Sequence, residues 1–527
     1  MNWHKNLKLK VHHSKLISAF ISGILMGCTV APVGAWFLAW IALVPLWVLI
    51  VTSIQKKQSS PLRLGLAWGI GYHGVAISWI TGIHPMTWLG VPWWPSLAIA
   101  LFCWAFISLW GGLFVSVWAI CMVRLDRQKS GLRILIGTAL WCGLEALWSA
   151  GPLWWSSLAY TQSPQNLIIL HLGQLSGTTT ITAVIVAVNG LIAEGWINTK
   201  NSSATWAPLR LVNQNLAIAT GLLISSHLIG FLLYIQPITK PAAAAVKVGI
   251  IQGNIPNKVL LNPGGFRRVV DSYTNGYITL ADQGVDAVLT PEGALPIFQR
   301  DLMGTPLISA VKKKGVVAWI GAFGERGNSY AISLFTINSQ GEIVSRYDKA
   351  KLVPLGEYIP FEEIIGGLIQ RLSPLDAHQV PGTANQLVDT PFGRVIVGIC
   401  YESAFGEQFR RQAAAGGQFI LSSSNDAHYT AAMATQHHAQ DIMRAIETDR
   451  WTVRATNTGY SGFVDPHGRT LWISGYNTYE THAETIYRRQ TQTLFVRWGD
   501  WLTPLLLIFA GGGWLVSLGV MGYSPLR

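Results

Sequence analysis

The chain has 527 residues, of which 50% are hydrophobic and only 12% charged. Soluble proteins carry about 25% charged residues, so the composition excludes a single water-soluble globule, and its hydrophobicity excludes intrinsic disorder. Thirty-eight Lys/Arg against 26 Asp/Glu give +12 and a pI near 9.5; this indicates a nucleic-acid partner only if the positive charges gather on one surface.

In chain order they do not. Residues 16–235 contain three acids, Asp126, Glu145 and Glu194. Seven apolar stretches lie in this part, near 16–31, 34–53, 64–83, 95–122, 132–149, 174–197 and 213–235, and an eighth lies near 501–521. Crossing a bilayer takes about 20 apolar helical residues, so the pattern predicts about eight transmembrane helices. Lys5, Lys8, Lys10 and Lys15 precede the first stretch. Lys56, Lys57 and Arg63 fall in the second loop, Arg124, Arg127, Lys129 and Arg133 in the fourth, and Lys200 and Arg210 in the sixth, while the first, third and fifth loops hold no Lys or Arg. Basic loops stay cytoplasmic. The alternation therefore predicts a cytoplasmic N-terminus and an outer location for the segment after the seventh stretch. The basic pI is a topology signal, and no nucleic-acid partner is expected. The third and fifth loops read GIHPMTWLGVPWWP and GPLWWSSLAY; such aromatics suit the headgroup level. Glu145 and Glu194 lie near span ends, where a side chain can snorkel to water.

Residues 236–500 hold 23 acids and 24 Lys/Arg, an ordinary soluble balance. Short β-rich runs lie at 246–254, 285–292, 316–323, 330–338, 394–402, 418–426 and 452–458, with helical stretches at 266–281 and 433–449. Runs such as VIVGI are apolar without alternation, as in strands covered on both faces. The expected domains are a membrane part over 1–236, an α/β domain over 244–498 and a final membrane helix over 499–527.

Four of the five cysteines fall in the membrane part; Cys400 alone lies in the α/β domain. It ends the run VIVGI and is followed by Tyr401, Glu402 and Ser403. A strand end presents a nucleophile on a rigid element. A thiol attacking a carbonyl needs a base and an oxyanion donor. Glu292, ending VDAVLTPE, and Lys349, in YDKAKLVPLGEYIP, are placed at other strand ends to supply them. Three strand units would bring a carboxylate, an ammonium and a thiol to a shared edge. His428, His437 and His438 have no spacing suited to zinc, and adjacent histidines face different sides of a helix. No metal and no cofactor is expected.

VGICYE, LTPEGALP and YDKAKLVPLGEYIP together resemble the nitrilase superfamily, whose catalytic set is Glu–Lys–Cys. With seven helices before the domain and one after it, and with IIQGNIP and ETDRWTVRATNTGYSGFVDPHG in order, nearly the whole chain resembles the apolipoprotein N-acyltransferase family. The resemblance implies a polytopic α-helical protein of the bacterial inner membrane that carries a periplasmic nitrilase-like α-β-β-α sandwich. It implies catalysis by Glu292 as base, Lys349 with the Tyr401 N–H as oxyanion donors, and Cys400 as nucleophile. Glu357 would orient Lys349 or Glu292, and Glu402 matches the acid after the nucleophile; a purely structural ion pair is the alternative for both. The implied partners are a phospholipid acyl donor, a diacylglyceryl-apolipoprotein acceptor and the lipid bilayer. Thr290, Gly293, Leu355, His428 and Tyr429 depart from the family pattern, which leaves acyl-chain preference and the lipid entrance open. An apolar lid is expected at 355–375 or in the loop after Asn425. Competing readings are a membrane-anchored amidase or hydrolase, and a transporter or scaffold with an incidental cysteine.

Overall fold

A computed structural model describes residues 2–56, 60–125, 128–201, 207–256, 259, 264–354, 356–358 and 379–522. The chain divides into two compact units: Met1–Met86, Val91–Gln236 and Asp500–Arg527 form one, and Thr87–Gly90 with Pro237–Gly499 form the other.

The first unit is helical. Among the described residues four helices are long and apolar enough to cross a membrane: Trp93–Val123, Ser130–Ala150, Thr178–Thr199 and Gln214–Tyr234. Helices Asn2–Gly27 and Leu502–Gly522 are of comparable length, and the other two apolar stretches are interrupted. The 34–53 stretch forms a 3-10 turn, Trp36–Trp40, and then the helix Val44–Lys56. Pro45 sits in that helix's first turn, where no N–H is needed. The 64–83 stretch leaves the α-helix at Ala76 and continues as a 3-10 segment, Ser78–Ile83. Gly177, at φ +67°, separates the short helix Gly173–Ser176 from Thr178–Asn201.

The two intramembrane glutamates are not snorkelling, contrary to the expectation from their positions. Glu194 is fully buried and takes a two-pronged bond from Arg133, Nε to Oε1 and Nη2 to Oε2, each 2.6 Å. Trp47 Nε1 donates to the same carboxylate at 2.9 Å. Arg133 thus lies inside helix Ser130–Ala150, at 7% exposure, rather than in a loop. A charge in an apolar interior persists only when paired, and spacing along the chain cannot show a partner 61 residues away. Glu145 is likewise enclosed, accepting from the Leu158 N–H and from the Ser157 and Thr182 hydroxyls, each at 2.9 Å. Asp500 begins the last helix, Leu502–Gly522: it accepts from the Thr503 N–H at 3.1 Å and from the Thr179 hydroxyl at 2.8 Å.

The second unit holds twelve strands among the described residues: β1 (Ala245–Gln252), β2 (Ala287–Leu289), β3 (Val317–Arg326), β4 (Ser329–Ile337), β5 (Ile343–Asp348), β6 (Val388–Thr390), β7 (Gly393–Ile399), β8 (Ile420–Ser424), β9 (Thr452–Thr456), β10 (Gly462–Val464), β11 (Thr470–Ile473) and β12 (Glu480–Tyr487). They form two six-stranded mixed sheets, ordered β12-β1-β2-β3-β4-β5 and β11-β10-β9-β8-β7-β6. Each has a parallel centre, β1-β2-β3 in one and β7-β8-β9 in the other, with antiparallel flanks.

Side-chain alternation divides each strand between two cores. Val246, Val248, Ile250, Ala287 and Leu289 meet Val395, Val397, Ile399, Leu421 and Val453 between the sheets. Ile251, Val288, Ala318 and Ile320 point the other way, onto helices Phe266–Asp282 and Pro306–Lys314. Ile396 and Ile420 pack on Phe409 and Ala413 of helix Gly406–Ala414. The central strands are apolar on both faces because both faces are covered. The result is an α-β-β-α sandwich.

Candidate active site

Glu292 follows β2, Lys349 follows β5 and Cys400 follows β7. The first two therefore belong to one sheet and the third to the other, so the groups meet across the sandwich rather than along one sheet edge. Gly321 of β3 allows the Thr290–Glu292 turn its close approach, since a Cβ there would lie 2.1 Å from the Pro291 carbonyl oxygen. Thr290 fastens that turn to β3, donating to the Trp319 carbonyl at 3.2 Å and accepting from the Gly321 N–H at 3.0 Å.

Lys349 is fully buried. Its Nζ donates to Glu292 Oε1 at 2.8 Å and to Glu357 Oε1 at 2.6 Å. The second oxygen of Glu292 accepts the Asn425 N–H at 3.0 Å, and that of Glu357 accepts the Val353 N–H at 2.8 Å. Burial works against the Lys349 charge, but Glu292, Glu357 and the Cys400 sulfur outweigh it and hold the ammonium protonated well above its ordinary range. Burial raises the Glu292 carboxyl above its usual value; Lys349 pulls it back and Glu357 pushes it up again.

Cys400 is buried, at 5% exposure, and begins the 3-10 turn Cys400–Ala404 with φ +52°. A side chain in that left-handed region costs of order 1–3 kcal/mol and persists only where its surroundings enforce it. Three do so here. The Ser403 hydroxyl donates to Asp441 Oδ1 at 2.6 Å. The Cys400 carbonyl accepts from His437 Nε2 at 2.8 Å. Glu402 is fully buried, with Oε2 accepting the Ile399 N–H at 2.7 Å and Oε1 the Ala350 and Lys351 N–H groups at 2.6 and 3.1 Å. The Tyr347 hydroxyl also donates to Glu402, at 3.0 Å. Burial pushes the thiol well above its usual range, Glu292 adds to this, and Lys349 opposes it. The resting group is therefore a thiol in the field of the Glu292 carboxyl and the Lys349 ammonium. This arrangement can carry out acyl transfer through a covalent thioester.

A family model described as the apolipoprotein N-acyltransferase N-terminal domain matches residues 22–191, and a carbon-nitrogen hydrolase model matches residues 247–493. A relative from Nostoc sp. named apolipoprotein N-acyltransferase is 72% identical over 495 residues, which covers 94% of this chain and 97% of the relative. The chain belongs to the apolipoprotein N-acyltransferase family. Relatives of the same name from Synechocystis sp. and Gloeobacter violaceus are 46% and 38% identical, covering 94% and 97% of this chain and 99% and 94% of their own. A solved amidase from Nesterenkonia sp. aligns with 52% of this chain and 99% of its own at 18% identity; its TM-score of 0.37 is too low to add to that assignment.

For this member of the N-acyltransferase family, the structure brings Glu292, Lys349 and Glu357 into direct contact, with Cys400 electrostatically coupled to all three. Glu402 does not reach the ammonium; it anchors backbone on both sides of the site. Tyr401 is buried and stacks edge-on against Phe405, with ring centroids 5.1 Å apart. His428 and Tyr429 are half-buried, their rings 4.1 Å apart, and both couple electrostatically to the Lys349–Glu357 pair. Burial pushes His428 down to about 4, so it is neutral at physiological pH. Gly293 takes φ +58°, a backbone region favoured by glycine. Leu355 and residues 359–375 of the expected lid lie outside the described residues.

Sequence reasoning missed the buried network behind Cys400, formed by Asp426, His437, Asp441 and Arg454. Arg454 donates to Asp441 at 2.7 Å and to Asp426 at 3.3 Å. Cys400, Asp426 and His437 each place one ligand-type atom within 4.8 Å of the others. The Asp426 and His437 atoms are already engaged with Arg454, with each other and with the Cys400 carbonyl, which is the pattern of a closed hydrogen-bond network. His438 turns to the other side of its helix, to the Thr470 hydroxyl at 2.9 Å. The available signal was the polar run SSSND after an apolar strand start, together with the charges of helix Ala431–Thr448.

Glu402→Gln should lower thermal stability and slow acylation of Cys400 together. An amide nitrogen in place of one oxygen confronts the N–H groups that oxygen served, and each orphaned donor costs about 1–3 kcal/mol. Thermal unfolding of the detergent-solubilised protein and single-turnover labelling check both effects; an unchanged melting temperature would contradict the anchoring role.

Proposed function

We propose that the chain is an acyltransferase that moves an acyl chain from a membrane phospholipid to the α-amino group of the S-diacylglyceryl-cysteine at an apolipoprotein N-terminus, during lipoprotein maturation. The observation that carries the reading is the Glu292–Lys349–Glu357 cluster, its lysine fully buried, close to a strained, buried Cys400, in a chain matching N-acyltransferases over nearly its whole length.

Glu292 takes the Cys400 proton as sulfur attacks the ester carbonyl. The tetrahedral oxyanion is met by the Lys349 ammonium and the Tyr401 N–H. Its collapse breaks the ester C–O bond, and Glu292 returns the proton to the departing lysophospholipid. The acceptor amine then attacks the thioester, a C–N bond forms, the C–S bond breaks, and Glu292 passes the amine proton to the sulfur. Glu357 holds Lys349 between the two carboxylates. No step calls on a metal or cofactor.

The long apolar helices and the alternating basic loops support a multi-pass placement in the bacterial inner membrane, with about eight spans within 1–236 and 499–527, a cytoplasmic N-terminus and a periplasmic catalytic domain at 244–498. Both substrates keep their acyl chains in the bilayer, so a tethered site searches a surface rather than a volume.

The test incubates purified protein with a phospholipid carrying a labelled acyl chain and then adds a diacylated lipopeptide. A hydroxylamine-sensitive label on the protein that chases into the lipopeptide amide is expected. A label that passes only to water would make the protein a hydrolase; no acyl-enzyme at all would end the proposal.

The pH dependence of acylation has a definite sign. Glu292 acts as base only when ionised, and burial raises its pKa above the ordinary carboxylate range. The rate should therefore be full on the alkaline side and fall as pH drops through that raised value. A profile across roughly pH 4 to 8, which brackets an unperturbed glutamate near 4.3, measures this; a flat profile would remove Glu292 from the role.

A further inference from the structure

His437 lies on helix Ala431–Thr448 and is fully buried. Its Nε2 stands 2.8 Å from the Cys400 carbonyl oxygen, and its Nδ1 faces Asp426 Oδ1 at 3.4 Å. Because a carbonyl only accepts, Nε2 carries a proton. Asp426 is held from its other side by Arg454, at 3.3 Å, and Arg454 is anchored in turn by Asp441 at 2.7 Å. All four side chains are 0% exposed. The mechanism as derived uses none of them.

What they touch is one end of a rigid plate. A peptide unit is planar and trans, so the Cys400 carbonyl and the Tyr401 N–H point in opposite directions from a single plane. Fixing the carbonyl fixes the N–H. The constraint matters here because this plane can turn about the bonds to the Cys400 and Tyr401 Cα atoms, and the strained Cys400 backbone, at φ +52°, is one of its two attachments. A hydrogen bond accepted by a carbonyl also polarises its amide and strengthens the N–H as a donor.

We propose that His437, seated by Asp426, is a positioning residue that locks the Cys400–Tyr401 peptide plane so that the Tyr401 N–H meets the oxyanion of the tetrahedral intermediate. The proposal rests on the reading of Cys400 as the acylated nucleophile. It goes beyond that reading in assigning a role to a side chain that touches no substrate.

The test compares two reactions of the same thiol in the full-length protein. Acylation by labelled phospholipid passes through an oxyanion; alkylation by iodoacetamide, a displacement at saturated carbon, does not. His437→Leu should slow acylation by about 10- to 100-fold, somewhat less than the loss of a whole oxyanion donor, with KM for phospholipid and the alkylation rate nearly unchanged. His437→Gln, which offers an amide N–H in place of Nε2, should recover most of the loss. Equal losses in both reactions would reveal a merely structural role, and undiminished acylation in His437→Leu would show no role; either overturns the proposal. If His437→Leu does not fold, Asp426→Asn decides: a ratio of acylation to alkylation about tenfold below wild type is expected, and an unchanged ratio overturns it. A wild-type protein that forms no acyl-enzyme would instead count against the underlying reading, so the two failures are distinguishable.

Discussion

Cys400→Ala should lose the hydroxylamine-sensitive acyl label entirely and drop acyl transfer to background, a fall of about 10⁴-fold or more, since removal of a covalent nucleophile leaves only binding and oxyanion stabilisation. The substitution is structurally mild. The sulfur is small and buried, and alanine at φ +52° meets the same backbone cost as cysteine. The bonds that hold the turn run through Ser403, Glu402 and the Cys400 carbonyl, none of which is removed. The melting temperature should therefore stay within a few degrees of wild type, and loss of transfer with retained fold is the diagnostic result. Transfer at the normal rate by this variant would refute a thioester route and leave the α/β unit as a binding module.

Lys349→Met should have the next largest effect, and through two mechanisms at once. The ammonium is shared by Glu292 and Glu357, at 2.8 and 2.6 Å, in a site closed to water on the lysine side. Without it, the buried Glu292 and the half-buried Glu357 carboxylates face one another with no counter-charge. Breaking a buried pair in this way costs about 3–5 kcal/mol unless a proton is taken up instead, and the proton would go to a carboxyl group that burial already pushes upward. The base is then neutral at pH 7. The oxyanion also loses a donor, which elsewhere costs about 10²–10³ in rate. Acylation should fall by about 10³-fold or more at pH 7. Part of that loss should return at higher pH, where the carboxyl ionises again. A pH–rate series on this variant separates the two contributions: full recovery at high pH would assign Lys349 to charge balance alone, and no recovery would assign it to the oxyanion alone.

Part of this site could be read along the chain, because Glu292 and Cys400 each end an apolar run that turns abruptly polar, and Lys349 lies in YDKAKLVPLGEYIP just after a pair of strands. Strands β2 and β7 lie inside their sheets and are largely buried, so their composition carries a strong signal; β5, which leads to Lys349, is an edge strand of mixed burial and carried less. Strands β10, β11 and β12 carried little: β11 is largely exposed, β10 has three residues, and ETHAETIY is too polar to stand out. Nor could spacing show that the thiol and the ammonium come from opposite sheets, since strand order is set by tertiary pairing. Glu402 looked like a neighbour of the nucleophile; only the fold turns its carboxylate back onto residues 350 and 351. The error over Glu194 has the same origin. Its distance from a helix end suggested water, whereas its partner, Arg133, comes from a different helix.

Glu402 joins backbone from both halves of the sandwich, since Ile399 belongs to β7 and Ala350 and Lys351 follow β5. Slippage of one sheet against the other by a single residue would withdraw its N–H partners and separate the thiol from its base in the same movement. Reactivity is therefore a property of the closed pair of sheets and has no graded form. A chain still being synthesised or inserted, with one sheet formed and the other incomplete, carries a cysteine with no base beside it. By the proposed thioester route, it cannot capture acyl groups from the surrounding lipid until folding is finished.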